Sequence, residues 1–133
     1  MHTLGPSKQL AWPLNSALCA MNKSKTIESI KELTHIFHNS LDDMIYGIKQ
    51  CIESEGINTK DVIVAELFPD DSCFELGIII TKTGKVYQFG YDYIENQEKN
   101  GNFTEWHDLT NQWQGTPHSQ RIEAALMYHN ENT

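Results

Sequence analysis

Five carboxylates stand where partner or metal chemistry is most easily built. Glu66, Glu75 and Asp92 each belong to a run of β-forming residues, and Asp70 and Asp71 sit in the turn-forming stretch Phe68-Pro69-Asp70-Asp71-Ser72 between the first two runs. Acids lined up across a sheet can face water, bind a cation, or receive lysine and arginine from another protein, and like charges directly across a ladder are unfavourable when left alone. A calcium loop needs regularly spaced ligands, which Asp70-Asp71 does not offer, so no metal is expected. Glu66, Asp70, Asp71, Glu75 and Asp92 are therefore the expected contacts for a basic protein partner. Gly77 and Gly90, paired in the middle of the same face, would leave a flat patch for a neighbouring backbone.

A second constellation is aromatic. Tyr91, Tyr93, Trp106 and His107 are the expected lining of a small pocket at the open end of the sheet, and Glu105 and Asp108 flank His107 in a way that suits a general base. A cap on the turn at Asp108 explains the same residues. His35 and His38 are three apart on a helix and lack the spacing of a His-Glu-x-x-His zinc site, while His118 and His129 have no partner in sequence. Nucleophile elbow, phosphate loop and paired Cys-His signatures are all missing, so no catalytic residues and no cofactor are expected.

These groups must be positioned by one domain, since 133 residues is the length of one. Apolar residues at Ile27, Ile30, Leu33, Phe37, Leu41, Met44, Ile45, Ile48 and Ile52 have the spacing of an amphipathic helix over Thr26–Ser54, with Gly56 past its end. Ser40, with Asp43 three residues on, could split it near His38, so one bent helix and two in line both fit. Val62–Ala65, Cys73–Thr81 and Val86–Tyr93 read as strands, with Phe103–Trp106 as a fourth at the edge. Thr116 and Pro117 open a final helix. A two-residue Thr83-Gly84 turn would set Ile80 opposite Tyr87, Ile78 opposite Phe89, Leu76 opposite Tyr91 and Phe74 opposite Tyr93. It would leave Glu75 opposite Asp92, with Glu66 beside them. The expected architecture is α+β: a three- or four-stranded antiparallel sheet, with a long N-terminal helix, whole or split, and a C-terminal helix packed on its aromatic face.

Charge narrows the partners. The chain carries −8, and because Lys8 is the only charged residue among the first twenty, the remainder carries −9. Such a field repels phosphate backbones and anionic lipid, which argues against nucleic acid and membrane as partners. Cys19, Cys51 and Cys73 form no Cys-x-x-Cys pair and suit a reducing cytoplasm.

Residues 1–20 differ from 21–133 in composition and read as a leader or N-terminal arm. They carry two prolines and no acid, and the apolar run is too interrupted for a signal peptide. Leu14-Asn15-Ser16-Ala17-Leu18 is the translation of CTTAACTCGGCGTTA, which resembles the conserved end of an integron cassette recombination site. The resemblance implies a cassette-encoded protein on a mobile element whose original start is Met21. It also implies membership of a class of small adaptive proteins that includes toxin and antidote pairs. Three readings follow: a non-catalytic acidic interaction protein with an antidote or immunity role; a small-molecule-binding protein or enzyme near His107; and a structural homo-oligomer. Trp12, Trp106 and Trp113 with the apolar leader point to a homodimer.

Overall fold

In the computed structural model the backbone is described over residues 12–41, 44–70, 73–97 and 102–131, and side chains over 25–41, 45–68, 73–96 and 102–131. Helices α1 (Trp12–Asn39) and α2 (Met44–Ser54) precede strands β1 (Ile63–Asp70), β2 (Phe74–Ile80), β3 (Val86–Asp92) and β4 (Glu105–Asp108), and α3 (Ser119–Glu131) follows. The strands form one antiparallel sheet in the order β1-β2-β3-β4, so the protein has the expected α+β fold. Asp71 and residues 1–11 of the leader lie outside the described residues.

The helical segment is split. Ser40 Oγ donates back to the Ile36 carbonyl at 2.6 Å, closing α1 instead of capping α2. Lys49 of α2 donates to the carbonyls of His38 at 3.3 Å and Ser40 at 3.1 Å, which satisfies the end of α1. Leu41, expected in the core, lies in this break and is exposed. Gly56, at φ +82°, ends α2 as its sequence position foretold.

The sheet separates two cores. On one face Ile63, Ile78, Ile80 and Val86 meet Ile30 of α1 and Ile122 and Ala125 of α3. On the other, Val64, Ile79, Phe89 and Tyr91 meet Phe37 of α1 and Ile48, Cys51 and Ile52 of α2. The long helix and the C-terminal helix thus share a face, but it is not the aromatic one; α2 covers the aromatics. α1 touches both cores because it runs along the β1 edge and takes up that strand's outward polar groups. Val64 N donates to Thr34 Oγ1 at 2.9 Å, and His38 Nε2 lies 2.7 Å from the Val62 carbonyl. An edge covered in this way offers no template to another strand.

The register is one residue away from expectation. Val86, not Tyr87, lies opposite Ile80, and the ladder continues with Ile79 opposite Tyr87, Gly77 opposite Phe89 and Glu75 opposite Tyr91. The cause is the turn: Thr81 N donates to the Lys85 carbonyl and Gly84 N to the Thr81 carbonyl, both at 2.9 Å. The loop therefore has three residues, Lys82-Thr83-Gly84, with Gly84 at φ +82° in the last position. A two-residue loop would force positive φ on the β-branched Thr83. The first hairpin repeats the form, with Asp70 opposite Phe74 and Cys73 at φ +62°, and a bulge at Ala65 then puts Glu66 opposite Ile78.

Candidate partner-binding face

The corrected register dissolves the acidic row. Glu75, opposite Tyr91, is on the aromatic face, whereas Asp92, opposite Phe74, and Glu66, opposite Ile78, are on the other. Asp70 pairs with Phe74 through its backbone, and its side chain lies outside the described residues. Each described acid has a local task. Glu66 pairs with Arg121 Nε at 2.8 Å. Asp92 Oδ1 accepts from the backbone N–H of Ile94 at 2.9 Å and Glu95 at 3.1 Å, which caps the turn after β3. The glycines separate too: the Phe89 ring lies on Gly77 and the Phe74 ring on Gly90, on opposite faces.

Glu75 is the buried acid, and the Tyr93 hydroxyl donates to it. Burial pushes its carboxyl above the ordinary glutamate range, and the Tyr93 bond only partly offsets this. A raised acid contributes stability below the ordinary range, and that contribution is lost as pH rises through the folded value. Glu75→Gln should therefore gain on the native protein as pH increases from acid to neutral. Urea unfolding across that range checks this, and parallel curves for the two proteins would contradict it.

Tyr91, Tyr93 and Trp106 do come together, through a residue the sequence reading left out of the cluster. Phe103 stacks on Trp106 at 5.1 Å and approaches Phe89 at 4.8 Å and Tyr91 at 6.3 Å, while Tyr91 and Tyr93 meet edge to face at 5.0 Å. The Tyr91 hydroxyl end rests against Gly47 of α2, where a Cβ would collide. Burial raises the Tyr91 phenol and the Cys51 thiol, which share this core. His107 does not belong to the cluster. It pairs with Gln88 in the ladder, one position from Trp106, and so projects from the opposite face, where its Nε2 is 3.3 Å from Glu105. The expected pocket with a histidine base is therefore not formed.

That opposite face is only half covered. α1 and α3 seal its Ile63, Ile80 and Val86 end. Toward the other end Phe68, opposite Leu76, and Phe74, over Gly90, are half-buried and belong to neither core. Around them lie the Glu66–Arg121 pair, the Glu105–His107 pair, Gln88, and His118, whose ring is 5.4 Å from that of Phe68. Phe74 and Leu76 share this face with Ile78 and Ile80, but α1 and α3 cover only its Ile80 end, so the two lie beyond the helices.

Among the described residues no three His, Cys, Asp or Glu side chains converge to hold a metal ion, and no helix is long and apolar enough to cross a membrane. Neither a family model, nor a characterised protein, nor a solved structure matches this chain.

Proposed function

We propose that this chain is a small, non-catalytic, acidic protein-binding domain that receives a basic partner on the half-open face of its sheet. The observation that carries the reading is the set Phe68, Phe74 and Leu76: adjacent, apolar, outside both cores, and ringed by polar and charged side chains. Binding patches have this anatomy, with aromatic and aliphatic anchors at the centre and a polar rim. Net charge of −8 steers a basic surface toward it and accelerates encounter more than it tightens the complex. An antidote or immunity role is the most concrete form of this reading, because many toxic enzymes that act on nucleic acid are themselves basic. The cassette-like leader supports the same origin, and the free thiols Cys51 and Cys73 fit a cytoplasmic home.

The test uses the products of the reading frames that flank this one in its source DNA, each purified and titrated against the full chain. One basic product is expected to bind. Leu76→Glu should weaken that complex by about tenfold or more, and added salt should slow association. Circular dichroism of the variant confirms that it remains folded. The reading fails if no flanking product binds, or if the folded Leu76 variant binds as tightly as the native chain.

A further inference from the structure

The two edges of the sheet are treated differently. Besides Thr34 and His38, Arg121 Nε donates to the Ala65 carbonyl of β1 at 2.7 Å, so that edge is sealed by helices. Among the described residues β4 pairs with β3 on one side only, and its residues are exposed except for Trp106, which is half-buried. Leu109 N donates to the Val86 carbonyl at 2.8 Å, so by alternation along β3 and β4 His107 and Glu105 also bond inward. Trp106 and Asp108 then turn their backbone N–H and C=O outward, as a strand does that awaits a neighbour.

We propose that β4 pairs antiparallel with β4 of a second copy of this chain, about a two-fold axis at Trp106. Outward groups must meet outward groups, so the registers that satisfy the ladder are centred on Trp106, His107 or Asp108. Centring on Asp108 sets that carboxylate against its own copy, and like charges directly opposite are unfavourable. Centring on His107 sets Trp106 against Asp108 and leaves Glu105 with no basic side chain across from it. Centring on Trp106 instead places Glu105 opposite His107 of the second copy, twice by symmetry, on the half-open face. It also places the two Trp106 side chains opposite each other on the aromatic face. Both faces are thus self-complementary in one register and in no other. Trp106 is already held rigid for the contact, between Tyr87 at 4.8 Å and Phe103 at 5.1 Å. Because the two-fold stands perpendicular to the sheet, both copies present the half-open face on the same side, which doubles the surface offered to a partner. The pairing does not depend on that partner, and its test needs none.

Sedimentation of the full chain from about 1 μM to about 1 mM should show mass rising from one chain to two. Over the same range hydrogen exchange should slow at the Trp106 and Asp108 amides. His107→Glu, at a position half exposed in the single chain, should weaken the dimer about tenfold by setting acid against acid twice. Adding Glu105→Lys to it should restore the affinity. A mass of one chain at the highest concentration overturns the proposal. So does a dimer in which those amides gain no protection, or one that His107→Glu leaves unchanged.

Discussion

Gly77→Ala is expected to cost the domain about 2 to 3 kcal/mol, a large loss for the removal of no contact at all. Gly77 lies directly opposite Phe89 in the ladder, and the Phe89 ring occupies the space a side chain would take. A Cβ there would meet the Phe89 ring edge and come within 2.9 Å of Leu67 Cδ2. Phe89 is fully buried among Phe37, Ile79 and Phe103 and has no room to withdraw. The strain should fall when the ring is shortened: Phe89→Leu is itself destabilising, yet in the double variant the two losses should sum to less than their separate values. Urea denaturation of the four proteins measures this. A Gly77 variant within about 0.5 kcal/mol of the native chain, the ordinary range for surface changes, would mean that Phe89 is not seated on Gly77.

Arg121→Ala should be at least as costly, about 3 kcal/mol near neutral pH, because one side chain fastens three elements. Its guanidinium donates to the Ala65 carbonyl at the β1 bulge at 2.7 Å and to Ser29 Oγ of α1 at 3.0 Å, and it pairs with Glu66 at 2.8 Å. Removing it strands a buried backbone carbonyl and leaves Glu66 unpaired. Burial already pushes the Glu66 carboxyl above its ordinary range in spite of Arg121 and His118, so desolvation outweighs the ion pair and the loss of Arg121 raises it further. A raised acid disfavours the fold once pH exceeds the ordinary glutamate range, so the penalty should shrink under acid conditions, where Glu66 is protonated in folded and unfolded chains alike. Glu66→Gln in the Arg121 background should remove the pH-dependent part and leave the carbonyl's share. Thermal melts at acid and neutral pH separate the two, and a penalty independent of pH would contradict the account.

Much of this architecture is legible along the chain because it depends on local chemistry. The three-and-four spacing of Ile27, Ile30, Leu33 and Phe37 can only be served by a helix that buries one stripe. Gly56 and Gly84 stand just past a helical run and between two β-forming runs, where a positive φ ends a helix or turns a hairpin, so the end of α2 and the existence of the second hairpin are local signals. Thr116 and Pro117 announce α3, although the helix proper opens at Ser119, after a turn in which His118 N donates to Thr116 Oγ1. The order of helices and antiparallel strands is read from the same signals.

The pairing of one strand with the next was decided elsewhere. Alternation sets a register only when one face of a strand is buried and the other wet, and here helices cover both faces: Ile78, Ile79 and Ile80 are successive and all fully buried. The choice passed to the loops, where one residue more or less moves every side chain to the opposite face. Gly84 in the third loop position, Cys73 in the same place on the first hairpin and the bulge at Ala65 together sent Glu75 inward to Tyr93 and left Glu66 and Asp92 on the other face. Residue types determined which elements form and where they stop, because those depend on neighbours a few positions away. Which residues share a face depends on loop geometry summed across the sheet, and only the folded chain carries that sum.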